Sequence, residues 1–297
     1  MVGLASGIFR VSENRQGGAD LHAHTSSSDG VLTPGEMVLA AVEAELQAVA
    51  ITDHDTLAGI GAARAEAQQQ PIDLVAGIEI SVRLRNLEIH LLGLFIDESC
   101  SQLRQLSLSS RRARRERAER MVERARSLRL DLSMQHIVQV AGSATIGRPH
   151  VAAAMVAAGI VPSPEIAFRR YLGTGRPLAV PRELIGAPEA IGIIHRAGGI
   201  AVVAHPGSSR VRATLLEELS AAGLDAIEVR HPRHGRQREQ LLLEQCRRLG
   251  LLPSGGSDFH GPGRGTAKLG EYRVPMDWYQ PLCRQAQERK AQAVAKE

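Results

Sequence analysis

A repeated alternation of short apolar strands with helices is the feature that most constrains the fold of this 297-residue chain. Thr33, Pro34 and Glu36 have the spacing of a capping box at the start of the first helix. Strand-then-helix repetition predicts a parallel α/β architecture, in which functional side chains collect at the C-terminal ends of the strands. Buried strands are predicted at 48–51, 77–81, 88–94, 199–204 and 226–229, with helices at 33–45, 59–69, 189–197, 212–222 and 237–249.

Histidines and acids stand at the ends of these strands. His22 and His24 are two residues apart, so on a strand both imidazoles can reach the same point. His54, Glu79 and His90 lie on or just after later strands. Imidazole nitrogen and carboxylate oxygen are ligands of Zn²⁺ and Mn²⁺. Five such residues in one shared placement favour a metal site over histidines that are each satisfied separately in a core.

The second half of the chain repeats this pattern. A buried strand ends at His205, which is followed by a Pro-Gly turn, and Asp258 and His260 repeat the two-residue spacing of the opening pair. Gly255 and Gly256 just before them allow the backbone to approach an ion or ligand closely.

Between 99 and 181 the pattern changes to helices with no convincing strand, which predicts a helical insertion that caps the main domain. Its first helix, 101–130, is rich in arginine. Most of these arginines can form a solvated helix face together with neighbouring glutamates. One or two of them can instead reach a phosphate, because guanidinium matches phosphate oxygens in a bidentate fork. Arg148, directly before a helix start, is also well placed for an anion.

Composition limits the remaining possibilities. The formal charge of +4 and the pI near 9.3 favour anionic partners, while 3% aromatic residues are few for stacking on single-stranded nucleic acid. Three widely spaced cysteines argue against a disulfide framework, and no apolar run is long enough to span a bilayer. Residues 1–17 lack the pattern of a secretory signal. We therefore expect a cytoplasmic protein with no membrane contact and no obligate protein partner.

Taken in order, the motifs at 20–24, 28–30, 52–55, 77–79, 90, 204–207 and 257–260 resemble those of the polymerase and histidinol phosphatase (PHP) family. The resemblance implies a distorted (β/α)7 barrel with two or three divalent metal ions at the strand C-termini. Within it we expect a loose leader at 1–17, the barrel at 18–98 and 182–283, the helical insertion at 99–181, and a polar tail at 284–297.

The resemblance also implies roles for single residues. Glu79 is the expected bridging carboxylate, Asp53 is expected to be structural, and Asp55 is expected to support the ligands or contact substrate. Mn²⁺ is the favoured metal, with Fe²⁺ and Zn²⁺ as alternatives. The catalytic residues are expected among the ligands, at Asp29, His54, Glu79 and His205. The expected metal ligands are His22, His24, Asp29, His54, Glu79, His90, His205, Asp258 and His260.

The insertion most resembles that of bacterial 3′,5′-nucleoside bisphosphate phosphatases, whose relatives act as 5′→3′ exoribonucleases on short RNA. That likeness implies phosphate contacts from Arg114, Arg117 and Arg148. His231 and His234 match no metal position, and we expect them at the surface.

The predicted reaction is hydrolysis of nucleotide phosphoesters by metal-activated water. Three alternatives remain open from the sequence: a histidinol-phosphate phosphatase, a non-catalytic metal-binding accessory domain, and a nucleic-acid-binding module built on the arginine helix.

Overall fold

The computed structural model describes residues 17–207, 213–265 and 267–294. Seven strands form one sheet in chain order, and ten α-helices and one short π-helix, Phe168–Leu172, surround it or project from it in the described residues. The strands are β1 (Ala19–Asp20), β2 (Ala48–Ile51), β3 (Asp73–Leu84), β4 (Leu87–Leu94), β5 (Ile200–Val203), β6 (Ala226–Arg230) and β7 (Leu252–Gly255). The helices are α1 (Pro34–Glu43), α2 (Ile60–Ala67), α3 (Ser101–Ser127), α4 (Met134–Ala141), α5 (Arg148–Ala157), α6 (Pro164–Ala167), α7 (Ala187–Arg196), α8 (Ala213–Ala221), α9 (Arg236–Leu249) and α10 (Met276–Val294).

The sheet curls back on itself. The Leu21 amide donates to the Gly255 carbonyl at 3.2 Å, and Ala23 forms a parallel bridge with Phe259, so the last strand returns to the first. This nearly closed seven-stranded arrangement confirms the predicted barrel-like α/β fold. Thr33 and Glu36 form the predicted capping box at the start of α1.

One part of the sheet is not parallel. Strand β4 runs antiparallel to both β3 and β5, whereas the other neighbouring pairs are parallel. Only two residues separate β3 from β4, which is too short for the crossover that a parallel pair requires. Because β4 is reversed, His90 near its beginning lies beside the C-terminal end of β5, where the Ala204 amide donates to the His90 carbonyl at 3.0 Å. The distortion brings His90 to the same end of the barrel as residues that follow parallel strands.

Apolar strand residues form the centre of the molecule. Ile78, Ile80 and Leu91 are fully buried and pack against Ile191 and Ile194 of α7. Full burial of each such side chain contributes about 1.5–3 kcal/mol relative to exposure. This core holds β3 and β4, and therefore Glu79 and His90, in a fixed position.

Residues between 99 and 181 form helices and no strand. Their own apolar cluster joins α3 to α5 through Met121, Ala125, Val151 and Met155, and it includes Leu172 of the π-helix. The division into domains at 99 and 181 remains a prediction. At the other end, α10 continues through position 284 with Leu282 and Ala286 buried, and 295–297 lie outside the described residues.

Three arginines of α3 donate hydrogen bonds to backbone carbonyls at 179–181, where the chain leaves this helical segment. Arg117 Nε donates to the Val180 carbonyl at 2.8 Å, Arg120 Nη2 to the Pro181 carbonyl at 3.2 Å, and Arg124 Nη1 to the Ala179 carbonyl at 2.7 Å. These arginines therefore do more than solvate a helix face, because they tie the returning chain to α3. No described helix is both long and apolar enough to cross a membrane.

Candidate metal centre

Glu79 lies at the centre of a group of histidines at the open end of the barrel. One carboxylate oxygen, Oε1, is 2.7 Å from His90 Nδ1 and 3.0 Å from His205 Nε2. The residue itself is fully buried on β3. A carboxylate shared in this way can bridge two ions.

The second oxygen of Glu79, Oε2, faces the histidines of the chain's N-terminal half. It is 2.9 Å from His54 Nδ1, 3.2 Å from His24 Nε2 and 3.4 Å from His22 Nε2. His22 Nε2 and His24 Nε2 are themselves 3.1 Å apart, as the two-residue spacing predicted. Three imidazole nitrogens thus lie within 3.4 Å of one carboxylate oxygen.

Asp29 and Asp258 complete the group from two loops. Asp258 Oδ1 is 3.4 Å from His22 Nε2 and 3.3 Å from His24 Nε2. Asp29 Oδ1 is 3.5 Å from His260 Nε2. All nine predicted ligands therefore lie in one cluster. Three subsets have ligand atoms within 4.8 Å of one another: His24, Asp29, His54 and His260; His22, His24 and Glu79; and His54, Glu79 and His90.

The backbone is strained at this end of the barrel. Asp55, His205 and Asp258 have φ values of +52°, +33° and +50°, a region that residues other than glycine rarely adopt. Such conformations cost about 1–3 kcal/mol each and persist where the surrounding structure holds them, often at functional sites. The surrounding barrel therefore stabilises three unfavourable backbone conformations, and these direct the side chains of Asp55, His205 and Asp258.

The orphaned polar atoms of the cluster fit metal ions. Glu79 Oε2, Asp29 Oδ1 and His54 Nδ1 are buried and make no well-oriented hydrogen bond in the described part of the chain, although Glu79 Oε2 and His54 Nδ1 lie only 2.9 Å apart. Buried polar groups are normally paired, so several such atoms around one point indicate a missing partner. Oxygen and imidazole nitrogen are what Mn²⁺, Fe²⁺ and Zn²⁺ accept. The residues present therefore fit a multinuclear divalent metal site.

The electrostatics of the cluster also favour cations. Burial opposes the ionised form of Glu79, yet the nearby His54, His90 and His22 hold the pKa of this carboxyl well below its usual range. Burial likewise opposes the charged form of His24, but the carboxylates of Asp258 and Glu79 raise its pKa to about 10. The field that stabilises a proton here would stabilise a metal ion in its place.

Glu228 was not predicted from the sequence, and it supports this cluster through contacts with two of the predicted ligands, His22 and His205. It is fully buried on β6, with Oε1 2.9 Å from His22 Nδ1 and Oε2 accepting from the His205 amide at 2.5 Å. A carboxylate on one ring nitrogen leaves the other free to bind metal. The available signal was an acid inside an otherwise apolar strand, at Ile227-Glu228-Val229.

The expectation that His231 and His234 lie at the surface is wrong, because both are buried. His231 Nε2 is 3.3 Å from Asp258 Oδ2, which places it against the cluster. His234 accepts from the Gly207 amide at 3.0 Å and lies 2.9 Å from the Val229 carbonyl, so it braces two loops. The turn after β6 folds inward over the barrel, which the local sequence did not reveal.

Asp53 has the structural position expected for it. Its carboxylate accepts from the Thr25 amide at 2.7 Å, from Thr25 Oγ1 at 2.6 Å and from Ser28 Oγ at 2.5 Å. These bonds fix the serine-rich turn that presents Asp29 to the cluster.

Asp55 connects the cluster to a group of arginines. Asp55 Oδ2 accepts from Arg114 Nε at 2.6 Å and from Arg182 Nη1 at 2.8 Å, and Oδ1 accepts from the Ser81 amide at 3.1 Å. The two guanidinium groups lower the pKa of the Asp55 carboxyl in spite of its burial. Since the Asp55 amide also donates to the Glu79 carbonyl at 2.8 Å, the arginines are held at a fixed distance from the cluster.

Arg114, Arg117 and Arg148 line a shared cavity with Met121 and Val151. Burial and the nearby Arg148 lower the pKa of Arg117 to about 10, which indicates a concentrated positive potential. Such a potential favours an anion. Arg182, whose side chain is 2% exposed, belongs to the same group and was missed because only the fold brings it beside Asp55.

Comparison with known proteins agrees with this geometry. A model of the PHP domain matches residues 20–153. The 5′-3′ exoribonuclease Rnm of Escherichia coli is 35% identical over 249 residues, which cover 82% of this chain and 85% of that protein. The chain belongs to the PHP domain family.

Two further proteins place this PHP-domain chain among phosphoesterases. The 3′,5′-nucleoside bisphosphate phosphatase of Chromobacterium violaceum is 34% identical over 270 residues, covering 89% of this chain and 93% of that protein. A solved structure described as a metal-dependent phosphoesterase from Bifidobacterium adolescentis superposes with a TM-score of 0.84 and 32% identity, covering 92% of this chain and 98% of its own.

Proposed function

We propose that this PHP-domain protein is a metal-dependent phosphoesterase that hydrolyses the 3′ phosphoester of 5′-phosphorylated nucleotides. The single observation that carries the proposal is the position of the arginine cavity beside a nine-residue cluster of metal-ligand type, with Asp55 and Glu79 connecting the two. One part of such a site suits hydrolysis, and the other suits a second phosphate that does not react.

Two substrate classes fit this arrangement. A 3′,5′-nucleoside bisphosphate and a 5′-phosphorylated RNA both carry a 5′ phosphate and a 3′ phosphoester. A site that binds the 5′ phosphate and hydrolyses the 3′ phosphoester would accept both substrate classes. The relatives bear names of both kinds.

The nine histidine and carboxylate ligands would hold two or three divalent ions, with Mn²⁺ the favoured one. When bound, these ions would supply an activated water and neutralise charge on the phosphate oxygens. Asp29, His54, Glu79 and His205 are the ligands that we place nearest the reacting phosphate. Glu228 orients His22 and fixes the loop at His205 through its two carboxylate oxygens.

The arginines supply binding energy at a distance from the reacting phosphorus. Arg148 and Arg117 would hold the 5′ phosphate, with Arg114 and Arg182 between that phosphate and the cluster. Energy from a part of the substrate that does not react can position the part that does. Because its carboxylate is already shared by two arginines, Asp55 acts by positioning them rather than by touching substrate.

The alternatives fit the structure less well. A histidinol-phosphate phosphatase would have little use for a buried arginine group beside the cluster. A non-catalytic accessory domain would not need all nine ligands, and a simple nucleic-acid-binding module would need none of them.

A substrate panel tests the proposal. Product release would be measured from 3′-phosphoadenosine 5′-phosphate, AMP, histidinol phosphate and a 5′-phosphorylated short RNA, each with Mn²⁺ and with chelator. We expect Mn²⁺-dependent turnover of the bisphosphate or the RNA. Turnover of histidinol phosphate alone, or of nothing at all by metal-loaded protein, would overturn the proposal.

A further inference from the structure

A second cavity adjoins the metal centre and is not used by a bisphosphate bound as proposed. It has a volume of about 380 Å³ and is formed by the loops that follow β6 and β7. His231, Arg233, Asp258, His260 and Arg264 contribute to its lining. It shares no lining residue with the arginine cavity beneath α3 and α5. Its size is within the range of small-ligand sites.

Two exposed arginines define the chemistry of this second cavity. The Arg233 amide donates to His231 Nδ1 at 3.1 Å, and Arg264 Nη1 donates to the Asp29 carbonyl at 2.9 Å. The Arg233 backbone is therefore bonded to a histidine that lies against the cluster, and the Arg264 guanidinium is bonded to the backbone of a predicted metal ligand. Neither guanidinium forms an ion pair with a carboxylate in the ranges that the structure describes. Exposed arginines that are not neutralised suit phosphate at low desolvation cost.

No Phe, Tyr or Trp is among the described residues that line the second cavity. Without an aromatic platform there is little to stack a base on, so recognition of a phosphate backbone is favoured over recognition of base identity. The cavity thus fits a phosphodiester chain of any sequence.

We infer that this second cavity binds the RNA chain on the 3′ side of the ester that is hydrolysed, an inference that rests on the proposed function. In a bisphosphate, the substrate ends at the reacting phosphate. In RNA, the same phosphorus carries the next nucleotide, which must continue away from the 5′ phosphate held by Arg117 and Arg148. The cavity at Arg233 and Arg264 adjoins the metal centre through Asp258 and His260 and shares no lining residue with the arginine cavity, so it offers the continuing chain a separate place.

The bond changes are the same for both substrates. Water adds to the phosphorus, the bond between phosphorus and the 3′ oxygen of the first nucleotide breaks, and that oxygen takes up a proton. The phosphate stays on the 5′ end of the shortened RNA, or leaves as inorganic phosphate when no nucleotide follows. The second cavity therefore affects only the substrate that continues beyond the phosphorus.

The test compares two substrates in the Mn²⁺-loaded enzyme. The kcat/KM values for 3′-phosphoadenosine 5′-phosphate and for a 5′-phosphorylated hexaribonucleotide would be measured for wild type, Arg233→Gln, Arg264→Gln and the double variant. Arg112→Gln is the matched control, because Arg112 is an exposed arginine on α3 that lines neither cavity. We expect the ratio of RNA to bisphosphate kcat/KM to fall by at least about tenfold in the double variant, since the loss of even one charged hydrogen bond costs about that much. The slope of log kcat/KM for RNA against log salt should become shallower by about 0.7 for each arginine removed.

The outcomes separate this inference from the proposed function. Turnover of neither substrate by wild type would overturn both. Turnover of the bisphosphate without the RNA would overturn the inference alone. An unchanged ratio in the double variant would also overturn it, as would equal losses on both substrates, since these would make the arginines supports of the metal centre.

Discussion

Glu228 Oε1 lies 2.9 Å from His22 Nδ1, on the side of the imidazole that faces away from the metal centre. The opposite nitrogen, His22 Nε2, consequently faces Glu79 and Asp258. Both residues of the Glu228–His22 pair are fully buried, so this orientation is set by a contact that solvent does not weaken.

Replacing Glu228 with Gln should weaken metal binding. An amide cannot support the imidazole as a carboxylate does, and changes of this kind typically cost 10–100-fold in metal affinity or activity. Mn²⁺ titration with bound metal counted at equilibrium measures the effect. Glu218→Gln serves as the control, because Glu218 pairs with Arg85 at the surface. Equal Mn²⁺ affinity for Glu228→Gln and wild type would contradict the role of Glu228.

Asp55→Asn should destabilise the protein and release two arginines from their positions. Removing one partner of a buried charge group typically costs about 3–5 kcal/mol, since the remaining charges are left unpaired. Arg114 and Arg182 are the charges left here. Denaturant unfolding would measure the loss, and KM for the bisphosphate should rise more than kcat falls. A variant as stable as wild type, with KM unchanged, would show that Asp55 does not hold the arginines.

Arg148→Gln should impair recognition of the phosphate that does not react. KM for the bisphosphate is expected to rise about tenfold, because a charged hydrogen bond is lost, while KM for adenosine 3′-phosphate should change little. Steady-state kinetics on the two substrates gives the comparison, with Arg115→Gln as control since Arg115 pairs with Glu119 on the exposed face of α3. Equal losses on both substrates would count against a 5′-phosphate contact.

Asp225 should make folding stability dependent on pH. It accepts from Arg289 Nη2 at 2.7 Å and lies 2.8 Å from His195 Nε2, which joins α10 and α7 to the start of β6. Burial opposes its ionisation, but His195 and Arg289 lower the pKa of Asp225 below the ordinary 3.8. A lowered carboxyl pKa adds stability above the unfolded-state value, and that stability is lost as pH falls through the folded-state value.

The free energy of unfolding of wild type and Asp225→Asn, measured in chelator across pH, tests this prediction. The advantage of wild type should be constant above about pH 5 and should shrink as the pH falls below the unfolded-state pKa. If the difference in free energy of unfolding between wild type and Asp225→Asn stays constant through this acidic range, the pKa of Asp225 is not lowered in the folded protein.

The sequence predicted those parts of the site that depend on local spacing. His22 and His24 converge because extended residues two apart face the same side, and Thr33 caps α1 because the capping box is local. Glu228 and Arg182 were missed, and His231 was wrongly expected at the surface, because their roles depend on contacts between distant segments. Neither the inward turn after β6 nor the return of the chain beneath α3 has a local signal.

Arg117 shows most clearly how far the sequence can predict a phosphate contact. Its place in the arginine-rich stretch indicated a phosphate contact, and it does line the arginine cavity. Yet its Nε is bonded to the Val180 carbonyl, which leaves only its terminal nitrogens for a phosphate. A sequence pattern can name the charged residue, but only the fold shows how much of its donor capacity is already used.

The most direct test of the central claim is the Mn²⁺-dependent kcat/KM for 3′-phosphoadenosine 5′-phosphate, measured beside adenosine 3′-phosphate and adenosine 5′-phosphate. We expect the bisphosphate to be preferred over the 3′-monophosphate by at least about tenfold, the 5′-monophosphate to be resistant, and all turnover to stop in chelator. Equal turnover of the two 3′-phosphates, or turnover that persists in chelator, would contradict a metal centre that works with an arginine site for a second phosphate.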